Sequence, residues 1–397
     1  MADAAKPDLD DLLLADHERG FELLPGEVYW RDRYGWLLDQ GYQLSQRYHP
    51  KWVPSWETNK SLVPGLTLDS QVLPNARVID ATRTKDQTPV ILKLVESAQS
   101  PEEVDILGYF SQAPISSDPR NHICPLLDIL RRPEDEGQTI VVLPVLRPYD
   151  NPDFDTIGEA LDFLRQILEG FTFLHEHRVA HRDVRSENLM LDPTGMYPAK
   201  FFVWTPNMKA DYSGPIQPRY MRTERGPKYY IIDFGFSKQF NSEELPPSEI
   251  PMAASDPTIP ELNDPKPCDP FPIDVYTVGN LILTDFIEGK PWNIEYKGRR
   301  GFDFLLPLVN TMVSVEPSER PSMKEALDKF NEIVGTQTPW TLRSRALPKD
   351  KEPLLTRVPA EVNHWKRRLW YITRRLPPIP VHKVKEDKTP KAPAESD

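Results

Sequence analysis

Cysteine is nearly missing from this 397-residue chain, which has only Cys124 and Cys268. Two are too few for a disulfide framework and stand too far apart for a metal knuckle, so they read as structural thiols in a reducing compartment. Long apolar runs are missing as well. None approaches the length of a bilayer span, and the opening MADAAKPDLDDLLLADHERG has neither the basic flank nor the apolar stretch of a secretory leader. A soluble, intracellular protein, cytoplasmic or nuclear, is therefore expected. Net positive charge is lacking too: the chain carries −12. The stretch from Thr341 to Asp397 holds 14 Lys and Arg against 7 Asp and Glu, a net of +7, so the remainder carries −19. An acidic body excludes general binding to nucleic acid through its phosphates, and no membrane association is expected.

What is present suffices for a sizeable core: 39% of residues are hydrophobic and 10% aromatic. The 43 prolines cluster around Ser242 to Pro272 and beyond Pro348, which predicts long irregular connections there. Up to about residue 69 there is no long helical period but many aromatics, among them Trp30, Tyr34, Trp36, Tyr42 and Tyr48, as expected of an extension packed on a larger domain. VIDAT and VILKLV, separated by TRTKDQTP, read as a hairpin. Ser100, Pro101 and Glu103 read as the cap, first position and first-turn carboxylate of a helix, and TIVVLPVL reads as another buried strand. Beyond Pro152 the pattern turns helical, with Leu161, Leu164, Leu168 and Phe171 on one stripe that ends near His175 or His177. A strand-rich part followed by a helix-rich part predicts an α+β fold of two lobes with a cleft between them.

Past that long helix lies VAHRDVRSENLML. His181, Arg182, Asp183 and Asn188 fit HRDxxxxN; Asp233, Phe234 and Gly235 fit DFG; Lys93 ends VILK on an earlier strand. Each match alone is weak, and together, in this order, they are specific. The sequence resembles the protein kinases over roughly residues 70–334. Ile259, Pro260 and Glu261 stand where that family has APE. Arg320 stands where an arginine pairs with that glutamate, and Asp274 where an aspartate braces the HRD backbone. The resemblance implies a two-lobed protein-kinase-like fold with a small strand-rich N-lobe (70–148) and a larger helical C-lobe (149–340) containing an insert near 192–228. An aromatic-rich N-terminal extension (1–69) and a basic, Pro-rich tail (341–397) flank it. It further implies ATP and Mg²⁺ as cofactors and a protein substrate. Asp183 would accept the proton of a substrate hydroxyl, and Arg185 would offer a cation beside it. Asn188 and Asp233 would hold Mg²⁺, Lys93 would bind the nucleotide's phosphates, Glu103 (with Glu102 adjacent) would pair with Lys93, and Val78 and Leu143 would belong to the nucleotide site.

Departures from the family pattern bear on function. Counting back from Lys93, the three phosphate-loop glycines should fall at Gln71, Leu73 and Ala76, and none is glycine. Asn188 and Asp233 are 45 positions apart, which leaves a long insert. The N-terminal stretch EVYWRDRYGWLLDQGYQLSQRYHPKWVPSW, joined to such a domain, resembles the expanded kinase-like proteins of mushroom-forming fungi. The first functional reading is a Ser/Thr protein kinase; the second is a pseudokinase-like binding or scaffold protein, and a small-molecule kinase is a third. Arg182 is expected to receive a phosphorylated residue of the segment from Asp233 to Glu261, with Ser255 and Thr258 the better candidates among Ser237, Ser242, Ser248, Ser255 and Thr258.

In the tail, Trp365, Leu369 and Ile372 recur at helical spacing among Lys366, Arg367, Arg368, Arg374 and Arg375. This predicts a basic amphipathic helix suited to an anionic membrane, a partner groove or the chain's own acidic body. The charge contrast favours the last, with Trp365 and Leu369 sheltered against the helical lobe and a disordered tail beyond Pro380. The insert and the tail are the places where a partner could bind.

Overall fold

Alternating side chains build the N-lobe sheet. Strands β1 (Tyr42–Leu44), β2 (Val78–Arg83), β3 (Thr88–Glu96), β4 (Asp128–Leu130) and β5 (Gln138–Pro144) pair antiparallel in the spatial order β1-β2-β3-β5-β4. The computed structural model describes residues 22–244, 246–252, 256–290, 296–349 and 354–382, with backbone alone for 244 and 354–357. Ile79, Ala81, Val90, Leu92, Ile140 and Val142 face one side of the sheet, where Trp30, Tyr34 and Leu37 of helices α1 (Pro25–Arg31) and α2 (Tyr34–Asp39) cover them. On the other side Val78 lies directly across from Lys93, and Leu143 across from Ile91, so these four residues share the face opposite that core.

The expected boundary near residue 69 is corrected by this pairing. Tyr42–Leu44 joins β2 as a sheet strand, and the aromatics from Trp30 onward belong to the N-lobe core. The β1–β2 connection consequently runs through residues 45–77 and includes the one-turn helix α3 (Ser55–Thr58). A buried ion pair anchors it: Arg47 Nε donates to Glu27 Oε1 at 2.9 Å and Arg47 Nη2 to Oε2 at 3.1 Å, while the Tyr48 hydroxyl donates to the same carboxylate. Gln71, Leu73 and Ala76 end this connection. A Cβ on Gly26 would stand 2.1 Å from that of Ala76, and the Trp30 indole donates to the Ala76 carbonyl at 2.9 Å. Ala76, though exposed, is thus tied to α1 by its carbonyl and by close approach to Gly26, so its backbone is anchored and not that of a free-standing phosphate loop.

Helix α4 (Glu103–Ser111) begins two residues later than the Ser100 cap predicted, because Ser100 is drawn back into a turn on β3, its amide bonded to the Glu96 carbonyl. In the C-lobe, α5 (Ile157–Glu176) starts with Thr156, whose side chain accepts from the Glu159 amide at 3.1 Å, while Glu159 accepts from the Asp155 amide at 2.8 Å. Its apolar stripe packs with α6 (Phe271–Ile282), α7 (Leu306–Met312) and α8 (Met323–Gly335) in one core. Short strands β6 (Arg147–Pro148), β7 (Val179–Ala180), β8 (Leu189–Leu191), β9 (Tyr229–Ile231) and β10 (Lys238–Gln239) frame the loops between the lobes. The fold is the two-lobed α+β architecture that the motif series implies.

After α9 (Pro339–Leu342), the tail forms helix α10 (Leu354–Thr373), which docks on the C-lobe. It does so through a different face from the one expected. Arg367 donates to Asp155 at 2.6 and 2.8 Å, His364 Nδ1 lies 3.1 Å from Asp155, Arg368 donates to the Trp340 carbonyl at 3.0 Å, and Tyr371 is buried. Trp365 and Leu369 are exposed. The body offers the helix a carboxylate and a carbonyl, and buried polar acceptors need donors, so the basic side is the one drawn in. The expectation for the tail past Pro380 falls almost wholly outside the described residues.

Candidate active site

Three segments converge on the cleft because each is held by a neighbour. His181 and Arg182 present their backbone amides to the Asp274 carboxylate on α6 at 2.8 and 2.9 Å, and His175 of α5 touches the same carboxylate at 3.1 Å. That grip holds Arg182 at φ 65°, a left-handed conformation that costs a non-glycine residue of order 1–3 kcal/mol. Asp233 is likewise left-handed at φ 64°. It follows β9, whose amides and carbonyls pair with β8 and with His122 and Cys124. Phe234 fills the core beside His181, with ring centroids 5.1 Å apart. A side chain at Gly235 would bring its Cβ within 3.3 Å of Asp233 Oδ1 and 3.7 Å of Glu103 Oε2, so glycine leaves these two carboxylates their space.

Lys93 joins the lobes. Its Nζ lies 2.5 Å from Glu103 Oε1 and 2.7 Å from Asp233 Oδ1. Burial works against the charge on Lys93, but the two carboxylates outweigh it and hold its pKa above the usual lysine value. For Asp233 burial is likewise the largest influence, and Lys93 overcomes it to hold the carboxyl below its usual range. Glu102, the neighbour weighed for the same task, instead accepts from the Gln239 amide at 2.7 Å.

Asp183 is buried. Its Oδ2 accepts from Asn188 Nδ2 at 3.0 Å, a bond reinforced by a second from the same amide to the Asp183 carbonyl at 2.9 Å. Its Oδ1 is buried with no hydrogen-bond partner. An orphan carboxylate oxygen is costly to maintain, and such a group in a cleft is a sign of chemistry. Arg185 is exposed, with Nε 3.8 Å from Asp183 Oδ2. Asn188 spends its amide nitrogen on Asp183, which leaves its carbonyl oxygen, a hard ligand, for other use. Asn188 and Asp233 make only two protein ligands, and among the described residues no cluster of three or more His, Cys, Asp or Glu could hold a metal by itself. That donor set suits a Mg²⁺ ion whose remaining ligands come from a nucleotide's phosphates and water. Val78 and Leu143 are half-buried on the sheet face that carries Lys93.

Arg182, expected to await a phosphate, already has partners. Its Nη1 lies 3.6 Å from Glu249 Oε2 and its Nη2 donates to the Ile250 carbonyl, while Lys238 reaches Glu249 Oε1 at 2.6 Å. Of the serines and threonines named for that segment, Ser237 is buried and donates to the His181 carbonyl. The Thr258 hydroxyl donates to Asp256 at 2.6 Å, and Ser255 lies outside the described residues. Farther along, Glu261 and Arg320 form a two-pronged pair at 2.6 and 3.0 Å.

Two groups escaped the sequence reading. Asp285 accepts from the hydroxyls of Tyr149 and Ser186, both at 2.6 Å, tying the loop after Asp183 to the inter-lobe segment. An acid inside the apolar run VYTVGNLILTDFI was the available signal. Trp204, in the insert, donates to Asp80 of β2 at 2.7 Å, and Lys200 reaches the Gln87 carbonyl at 2.7 Å. Buried Arg147 of β6 donates to the Pro206 carbonyl, and buried Arg222 of the insert donates to the Tyr149 carbonyl, which fastens the insert to the inter-lobe segment. The insert is therefore a strap between the lobes. No local sequence signal announces a contact 124 residues long.

Comparison with known proteins agrees with this geometry. Residues 151–330 match the family model of the protein kinase domain. The chain is 34% identical over 98 residues to serine/threonine-protein kinase CAK1 of Saccharomyces cerevisiae, covering 25% of this chain and 19% of that protein. It is 22% identical over 207 residues to cyclin-dependent kinase C-2 of Oryza sativa subsp. japonica, covering 49% and 40%, and 24% identical over 216 residues to serine/threonine-protein kinase ppk8 of Schizosaccharomyces pombe, covering 52% and 34%. The chain thus spans between about a fifth and two-fifths of the length of these relatives. Residues 151–330 are thus a protein kinase domain, which places this part of the chain in the protein kinase superfamily.

Proposed function

We propose that the protein is an ATP-dependent protein kinase that transfers the γ-phosphoryl group to a Ser or Thr hydroxyl. The observation that carries this reading is Asp183 Oδ1: buried, unpartnered, and fixed in orientation because Asn188 holds the other oxygen. Such an oxygen can accept the hydroxyl proton of a substrate as its oxygen forms the new bond to phosphorus and the bond from the γ-phosphorus to the departing ADP oxygen breaks. Asp183 would be the acceptor, and Arg185 a cation near the transferred group. Lys93, held by Glu103, would hold the phosphates. Asn188 and Asp233 would hold Mg²⁺, which supplies neutralisation of phosphate charge when bound. The serine/threonine preference rests on the relatives, whose printed names carry it.

A second reading, a pseudokinase-like scaffold, is favoured by one observation: the stretch where phosphate-loop glycines were sought has none and is tied to α1 at Ala76. A γ-labelled ATP assay on a peptide library, run beside Asp183→Asn, separates the two. The kinase reading expects transfer to Ser- or Thr-containing peptides that falls about 10²- to 10⁴-fold in the variant. Undiminished transfer in the variant removes Asp183 from the chemistry. A Mg·ATP-dependent rise in Tm without any transfer favours the scaffold.

A further inference from the structure

Helix α10 docks by its polar side and leaves an apolar stripe outside. Val358, Val362, Trp365, Leu369 and Ile372 follow one another at spacings of four, three, four and three, which stacks them along one face. Together with Trp340, whose ring lies 5.8 Å from that of Trp365, these side chains are between 44 and 62% exposed. Scattered exposed hydrophobics need no explanation, but a contiguous set with two tryptophans marks an interaction surface.

The surroundings state the chemistry of what covers it. Glu361 is the sole carboxylate in the sequence from Val358 to Arg375, and Arg345 pairs with it at 3.3 Å. Lys366, Arg374 and Arg375 are exposed around the stripe. Beneath it stand two arginines whose hydrogen bonds go to backbone carbonyls: Arg368 to Trp340, with its guanidinium 3.7 Å over that indole, and Arg343 to Leu376. Neither has a carboxylate partner among the described residues, and Arg368 Nε and Arg343 Nη1 are buried without a hydrogen-bond partner. Burial lowers the pKa of both, and for Arg368 the neighbouring charge of Arg343 adds to the effect, as expected where positive charge lacks a counter-ion. The charge contrast led to the expectation that the tail docks on the body with Trp365 and Leu369 sheltered; it does dock, and these two side chains are exposed.

We propose that this face of α10, with Trp340, Arg343 and Arg368 at its base, is a peripheral docking surface for an anionic phospholipid membrane. The apolar stripe enters the headgroup region, where indole rings settle readily, the exposed Lys366, Arg374 and Arg375 meet lipid phosphate and carboxylate groups, and the uncompensated charge of Arg343 and Arg368 at the base adds to the positive field. A helix that stands on the body by its polar side and leaves its apolar face outward suits a planar surface. The body's excess negative charge turns the remainder of the molecule away from the same lipids, so contact is confined to this face.

The test is co-sedimentation of the full chain with large vesicles of phosphatidylcholine alone or containing about a fifth phosphatidylserine. Wild type should partition at least about tenfold more strongly onto the anionic vesicles and come off as salt is raised. Leu369→Asp should lower that partitioning at least about tenfold with an unchanged Tm, because the side chain is exposed and no packing is lost. Ile372→Asp, one turn on, serves as the second variant should Leu369→Asp fail to fold. Arg343→Gln should remove the preference for phosphatidylserine. Three results overturn the proposal: no binding to anionic vesicles, binding that neither aspartate variant weakens, or a wild-type dimer that Leu369→Asp converts to monomer, which makes the face a self-interface. The readout involves no catalysis, so it stands apart from the kinase reading.

Discussion

The loop around Asp183 and the connection between β1 and β2 are both irregular, yet they are held in different ways. The first is gripped by side chains at short sequence distance or on adjoining elements: Asn188 on Asp183, and Asp274 on the His181 and Arg182 amides. The second, spanning residues 45–77, is held by long-range burial, with Arg47 clasping Glu27 and Ala76 lodged against Gly26. The loop around Asp183 stores backbone strain and an unpartnered carboxylate oxygen; the connection is largely exposed and is anchored at a few buried points, Arg47, Tyr48 and Leu73 among them. Position matters in one region for chemistry and in the other for support, so substitutions should act on different observables.

Lys93→Met gives the largest effect expected. It removes the cation shared by Glu103 and Asp233 and leaves two carboxylates together, so phosphoryl transfer should vanish or the KM for ATP rise by orders of magnitude, as steady-state kinetics will report. Normal turnover would place the nucleotide's phosphates elsewhere. Next comes Glu27→Ala in the connection. It strands the buried Arg47 and should destabilise the N-lobe by about 3–5 kcal/mol in urea denaturation, with a far smaller loss of activity in the molecules that remain folded. Equal losses of both would erase the distinction between the regions.

A third region tests the same contrast by pH. Burial alone would raise the pKa of Asp155, but Arg367 and His364 together outweigh it and bring the value below the usual aspartate range. An acid with a depressed folded pKa contributes its full stability above the unfolded value of about 3.9 and loses it as the pH falls through the folded value. Arg367→Ala should therefore lower Tm at neutral pH, by an amount equivalent to about 1 kcal/mol because the guanidinium is partly exposed, and the gap to wild type should narrow as the pH falls below the unfolded value of about 3.9. A gap that persists in acid would assign the docking to Tyr371 burial instead.

The smallest effect is expected from Ala76→Gly. Were this residue part of a phosphate loop, glycine would tighten nucleotide binding. Since its carbonyl is held by Trp30 of α1 and its Cβ faces Gly26, the Kd for Mg·ATP measured by calorimetry should change by less than about twofold. A clear gain in affinity would restore the residue to the nucleotide site.

Much of this protein was legible in one dimension, and the reason is physical. HRDxxxxN and DFG are short because the groups they position lie on one tight loop and one strand end, as the bonds from Asn188 back to Asp183 show, so the spacing survives in the string of residues. The long α5 stripe and the β2–β3 alternation are likewise periodic and local. The N-lobe boundary was misjudged because β1 is three residues long and separated from β2 by 33 others, which no periodicity reveals.

The sequence by itself determined the two-lobed class, the order of the site residues and the existence of a basic amphipathic tail helix. Tertiary structure decided which neighbour each one has. Glu103 and not Glu102 reaches Lys93, because the first turn of α4 directs it inward. Glu249 takes Arg182, and the insert reaches β2 through Trp204. Asp155 draws the basic side of α10 inward and turns its tryptophan outward. A helical period specifies that two faces differ. Which face is buried depends on the hydrogen-bonding groups that wait on the surface it meets, and these are assembled from residues hundreds of positions away.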